Sequence, residues 1–117
     1  MLEITGQGNI YLALEATDMR KSINGLSAIV LHEFKLDPLS DAWFVFCSKN
    51  RTRLKILRWD KNGWWLYYRV LDREKFQWPK EIGTVKQIDI RSLRWLLDGL
   101  DIDQPRAHKA IKVKYLF

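Results

Sequence analysis

Residues 49–69 read KNRTRLKILRWDKNGWWLYYR, and the fold turns on how this stretch pairs with itself. Two strand-like runs, RLKILRWD (53–60) and WWLYYRVL (64–71), flank a KNG segment, and Asn62-Gly63 is a strong hairpin signal. Residues 49–69 hold seven basic residues and one acid, with three tryptophans and two tyrosines. That composition suits a surface that binds nucleic acid. It equally suits a solvated hairpin whose aromatics pack across the strands under arginine and lysine stems.

The register decides which residues share a face. A two-residue turn at Asn62-Gly63 pairs Lys55 with Val70 and Ile56 with Arg69, so both faces mix charge with apolar groups. A three-residue loop, with Gly63 left-handed in a bulge, pairs Ile56 with Tyr68 and Lys55 with Arg69. The second is preferred, because a sheet with one buried face needs a consistent partition. It predicts a core face of Leu54, Ile56, Leu66, Tyr68 and Val70, and a contact face of Arg53, Lys55, Trp59, Trp65, Tyr67 and Arg69. The partition is imperfect: Arg58 falls among the apolar groups, Leu57 among the basic ones, and Lys55 opposes Arg69 as a like-charge pair.

Outward from the hairpin, AWFVFC (42–47) is apolar throughout and reads as a central strand or one lying under a helix. Earlier, NIYLAL (9–14) reads as a short strand. In TDMRKSINGLSAIVLHEF, Thr17 or Asp18 can cap a helix whose stripe is Ile23, Leu26, Val30 and Phe34. Gly25 costs that helix about 1 kcal/mol relative to alanine, which suggests close packing against another element. Later, EKFQWP (74–79) reads as a short edge strand ending at Pro79. Asp89 reads as the cap of a second helix with the stripe Ile90, Leu93, Leu96 and Leu97, stopped by Gly99. From Pro105 the tail, PRAHKAIKVKYLF, has four basic residues and no acid.

The chain has 117 residues, enough for one domain burying roughly 65% of its unfolded surface. Its hydrophobic content of 47% supports a core without staples. A net charge of +6 and a pI near 9.6 favour anionic partners, or simply solubility. The single cysteine, Cys47, rules out an internal disulfide and suits a reducing cytoplasm. The N-terminus lacks the basic start and apolar core of a signal peptide, and no run reaches the roughly 20 apolar residues of a membrane span.

Catalytic chemistry is hard to assemble from these residues. His32 and His108 lie far apart, and Glu33 diverges from His32 on a helix. No phosphate-binding glycine loop or nucleophile elbow is present. Asp18 and Asp89 are explained as helix caps and Asp60 as a turn residue, leaving no carboxylate set for two metal ions. The reading is of a chain that is not an enzyme, with no metal, no cofactor and no small-molecule substrate.

Three stretches carry a family resemblance: ATDMRKSINGLSAIV (16–30), FVFCSKNRTRLKILRWDKNGWWLYYRVLDREKFQWP (44–79) and LRWLLDGLDI (93–102). They resemble the TnpB-type accessory protein encoded by the second open reading frame of the insertion sequence 66 family of bacterial transposable elements. The resemblance covers about residues 9–102 and omits the first eight residues and the basic tail. It implies a protein that assists a separate transposase and supplies no catalytic residues of its own. Besides the hairpin residues, the signature positions are Asp18, Met19, Arg20, Asp60, Gly63, Phe76, Trp78 and Pro79.

The expectation is therefore an α+β domain over 1–104 and a basic tail over 105–117. Its core is a twisted antiparallel sheet of about four to six strands. A helix over about 18–34 packs on one face, and a second over about 89–98 lies near an end. The candidate nucleic-acid contacts are Lys49, Arg51, Arg53, Lys55, Trp59, Trp65, Tyr67 and Arg69, with Arg106, Lys109, Lys112 and Lys114 in the tail. Expected partners are DNA, the element's transposase or a second copy. The alternative is a protein–protein adaptor without DNA contact.

Overall fold

The computed structural model describes residues 8–103, so the basic tail with Arg106, His108, Lys109, Lys112 and Lys114 lies outside the described residues. Strands β1 (Ile10–Ala13), β2 (Trp43–Cys47), β3 (Arg53–Asp60), β4 (Gly63–Val70) and β5 (Val85–Ile88) form one sheet in the order β4-β3-β2-β1-β5. Helix α1 (Ile23–His32) connects β1 to β2, and α2 (Ile90–Leu97) follows β5. The α+β class is as expected, but the sheet is mixed rather than antiparallel. β1 and β2 run parallel, with Ile10 beside Trp43 and Leu12 beside Val45, whereas the other pairs are antiparallel. A parallel pair requires a crossover, which the α1 segment supplies. A hairpin signal reports only on its own two strands.

Side chains alternate across the sheet, and each side meets a different helix. On one side Phe44, Phe46, Ala13 and Leu57 pack with Leu26 and Val30 of α1. On the other, Trp43, Val45, Cys47, Ile10, Leu12, Leu54 and Ile56 pack with Leu93 and Leu96 of α2. The second helix thus packs on the opposite face rather than merely near an end. β2, between the two layers, is buried at every position. Each large side chain taken fully out of water contributes about 1.5–3 kcal/mol, so these two layers drive the fold.

This double burial corrects the hairpin register. Asp60 pairs with Gly63, Leu57 with Leu66, Ile56 with Tyr67 and Lys55 with Tyr68. The turn is Lys61-Asn62, not Asn62-Gly63. The Asn62 amide donates to the Asp60 carbonyl at 2.6 Å, and Lys61 takes the left-handed φ of 56° that had been expected of Gly63. The expected partition assumed one buried face. Ile56 instead enters the α2-side core and Leu57 the α1-side core, so both faces of β3 are apolar in the middle. Leu57 was no misfit, and Lys55 does not face Arg69.

The other departures have local causes. α1 starts at Ile23 rather than 18, because the Thr17 amide donates to the Cys47 carbonyl at 2.8 Å and holds Thr17 against the end of β2. Ser22 occupies the N-cap without a side-chain hydrogen bond. A Cβ at Gly25 would meet the Lys21 side chain at 3.1 Å, its own preceding turn and not another element. Residues 74–79 form no strand. Phe76 and Trp78 are both buried, while the Phe76 amide donates to the Arg51 carbonyl at 2.7 Å and the Trp78 amide to the Phe76 carbonyl at 3.0 Å. These two bonds, rather than a strand ladder, take up the amides of the two buried residues. Val85–Ile88 is the strand the sequence did not reveal. For α2 the expected signals hold: Asp89 Oδ1 accepts from the Ser92 amide at 2.7 Å, and Gly99 has φ 81°.

Candidate nucleic-acid interface

β4 is an outer strand of the sheet, so the hairpin presents two surfaces and an edge that no other described strand pairs with. The residues expected to form one contact face are divided between those surfaces. Arg53, Lys55 and Trp59 lie on the α1 side with Trp64, Leu66, Tyr68 and Val70. Trp65, Tyr67 and Arg69 lie on the α2 side with Leu54, Ile56 and Arg58.

On the α1 side Lys55 is committed to the fold. Its Nζ donates to the Met19 carbonyl at 2.7 Å and the Lys21 carbonyl at 2.9 Å, and it sits 5.4 Å from the centre of the Tyr68 ring. It ties β3 to the segment that leads into α1. Arg20 is also engaged, in a 2.8 Å ion pair with Asp18. Its side-chain and backbone hydrogen bonds to Asp18 hold that carboxyl at a pKa of about 2, below the ordinary 3.8. Trp59 packs edge-on against Trp64 with centroids 5.1 Å apart and is half-buried, which fits cross-strand packing better than a ligand contact. Two cations remain uncommitted. Lys49 and Arg53 are exposed, form no ion pair among the described residues, and border an open depression with Thr17, Met19, Ser48 and Asn50.

On the α2 side the aromatics form a ladder. Trp65 stacks on Tyr67 at 6.1 Å with planes 14° apart, and Tyr67 stacks on the buried Trp43 at 6.2 Å. The Arg58 guanidinium lies 4.0 Å from the centre of the Trp43 ring and donates to the Asp41 carbonyl at 3.2 Å. Asp60 Oδ2 accepts from Trp65 Nε1 at 3.2 Å and so fixes the outermost indole. Trp65 is nonetheless 52% exposed, and Arg69 beyond Tyr67 is exposed with no ion pair among the described residues.

Arg51 has a structural position. It takes a left-handed φ of 62° in the β2–β3 turn, and its guanidinium lies 5.5 Å from the centre of the Trp78 ring. Its Nη1 is buried without a hydrogen-bond partner among the described residues. Burial pushes the neighbouring Cys47 thiol above its ordinary pKa, and the Arg51 charge partly opposes that rise. A buried cysteine of this kind is an inert packing group rather than a nucleophile.

The signature positions now acquire physical roles. Asp18 and Arg20 hold one another, and Met19 lends its carbonyl to Lys55. Asp60 anchors Trp65 beside the turn that Gly63 closes. Phe76 and Trp78 fill the α2-side core, Trp78 Nε1 donating to the Ala13 carbonyl at 2.8 Å, with half-buried Pro79 next to them. These residues build the molecule; the exposed cations and indole are candidates for its contacts. Sequence reading put Tyr68 on the core face, and only the true register places it, exposed, on the α1 side; Arg58 shares the face of Leu54 and Ile56, as expected.

Among the described residues no group of three or more His, Cys, Asp or Glu is placed to hold a metal ion, and no helix is long and apolar enough to cross a membrane. Comparison with known proteins matches residues 8–107 to a family model described as IS66 Orf2-like protein. The chain is 34% identical over 97 residues to the uncharacterised protein y4hO of Sinorhizobium fredii (strain NBRC 101917 / NGR234), covering 83% of this chain and 84% of that one. It is 32% identical over 92 residues to the uncharacterised protein y4jC of the same strain, covering 79% of each. No solved structure matches the chain. The expected resemblance is thereby confirmed: the chain belongs to the IS66 Orf2-like family, among the accessory proteins of insertion-sequence transposition.

Proposed function

We infer that this chain is a non-catalytic transposition accessory of the bacterial cytoplasm that contacts DNA, or the transposase–DNA complex, through the β3–β4 hairpin. The basic tail over 105–117, with Arg106, Lys109, Lys112 and Lys114, acts as a second contact beside the domain over 1–104. The observation that carries the reading is a set of exposed cations without ion pairs among the described residues, Lys49, Arg53 and Arg69, around an outer hairpin that also exposes Trp65 and Tyr68. Lysine and arginine neutralise phosphates and release counterions, so binding should weaken steeply with salt. Mobility shifts with element-end DNA at several salt concentrations test it. Salt-independent binding, or binding unchanged when Lys49, Arg53 and Arg69 are replaced together by alanine, removes the hairpin assignment.

One observation favours a second reading, the adaptor that binds the transposase or a second copy. β4 is an eight-residue outer strand with no proline and no acid along it, and it exposes Trp65, Tyr68 and Val70. Sheet edges of that kind usually carry devices that block strand addition. Co-purification with the transposase in the absence of DNA, or a dimer abolished by a Leu66→Pro substitution in β4, is the result that selects this reading.

A further inference from the structure

We propose that the α2-side surface of the hairpin is a stacking platform for single-stranded DNA, with Trp65 as the base-contacting residue and Arg69 and Lys61 as phosphate contacts. The proposal rests on the DNA reading above and narrows it to one form of DNA. The platform is the open end of the Trp65–Tyr67–Trp43 ladder. Its inner member is buried, its outer member is 52% exposed, and its two outermost rings are nearly parallel. A base laid on the outer face of Trp65 continues the stack. The indole needs little ordering, because Asp60 already holds Nε1 on one side and Tyr67 supports the ring.

The chemistry separates single strands from duplex. In duplex DNA the base faces are occupied by neighbouring bases, and a protein meets only base edges in the grooves and the phosphate backbone. A flat exposed ring on an open sheet has nothing to stack on there. In a single strand every base offers its face, and sheet-borne aromatics stack on it without sequence preference. Charge points the same way. Arg58 is occupied by Trp43 and Asp41, and the Asp60 carboxylate lies beside the indole. That leaves Arg69 on this surface and Lys61 at the turn, both exposed and without ion pairs among the described residues. Two cations beside an acid are a poor duplex clamp but a sufficient track for one strand that also stacks.

The test compares three probes with the full chain: an oligothymidylate of about 12 nucleotides, the same length of abasic strand, and the duplex. The proposal expects the oligothymidylate to bind more tightly than either other probe. It also expects tryptophan emission to fall on binding, because a stacked base quenches the indole. Trp65→Ala should weaken single-strand binding by about 5- to 150-fold, whereas Trp65→Phe should keep most of it. Circular dichroism of both variants checks that the fold is kept, and the abasic comparison needs no variant at all. Equal binding of thymidylate and abasic strands overturns the platform while the DNA reading stands, as does duplex binding at least as tight and indifferent to Trp65→Ala. Failure of all three probes overturns both. A Trp65→Ala effect confined to oligomeric state makes the surface a protein interface and also overturns the proposal.

Discussion

The two surfaces of the β3–β4 hairpin carry the same residue types and divide them differently between the fold and solvent. On the α1 side Lys55 spends its ammonium on two backbone carbonyls, while nearby Arg20 is bound to Asp18 and Trp59 to Trp64. On the α2 side Arg58 is held by Trp43 and Asp41, while Arg69 and Trp65, the latter stacked on Tyr67 and through it on Trp43, are left facing solvent. Basic and aromatic composition therefore says little until partners are counted. A lysine whose hydrogen bonds are filled by the fold is a strut, and an exposed arginine on a rigid strand is available to a ligand.

Four substitutions would break or sharpen that contrast. The largest effect is expected at the base of the α2-side layer. Trp78→Ala removes an indole that is only 7% exposed and strands the Ala13 carbonyl, so it should cost about 3–5 kcal/mol in urea or guanidinium unfolding. That is a large share of the stability of a domain this size. Next, Lys55→Ala should cost about 1–3 kcal/mol by the same measurement, because the part-buried Met19 carbonyl and the exposed Lys21 carbonyl lose their donor. If stability were unchanged and only the salt slope of DNA binding fell, Lys55 would belong with the contacts after all.

Arg69→Ala is the counterpart. Its stability change should stay within about 0.5 kcal/mol, while the slope of log affinity against log salt shrinks by about one. Smallest is Asp18→Asn. The Asp18 carboxyl sits at about 2 rather than 3.8, so the stability it contributes is present above pH 3.8 and lost as pH falls through about 2. An acid titration followed by circular dichroism should show the wild type and Asp18→Asn differing slightly near neutrality and converging at the acid end. A constant difference across that window would mean that the Asp18–Arg20 pair acts through something other than its charge. Because both groups are exposed, solvent screening keeps the effect small.

The local elements were legible because their signals are local. Asp89 announces α2 by capping it, Gly99 stops it, and the spacing of Ile23, Leu26 and Val30 announces α1. The apolar run 42–47 announced a central strand, and β2 is one. At the candidate site the sequence put Trp65 and Arg69 on one face with Arg53 and Lys55, whereas the structure divides them between two. That error has a single origin. The register argument assumed one solvated face, whereas Ile56 and Leu57 are claimed by two different helices.

The amino-acid sequence by itself determined the class of the fold, the existence of the hairpin and both helices, and the family. Each depends on patterns within about a dozen residues or on direct resemblance. Only the tertiary structure decided the parallel β1–β2 pair, the burial of Phe76 and Trp78 without a strand, and the turn at Lys61-Asn62. Those depend on contacts between distant segments. A slip of one residue in β3–β4 pairing changes no local preference much, yet it moves every β4 side chain to the other face. What fixes the register is the fit of Leu66 beneath α1 and Tyr67 against Trp43, and that fit exists only once both layers are in place.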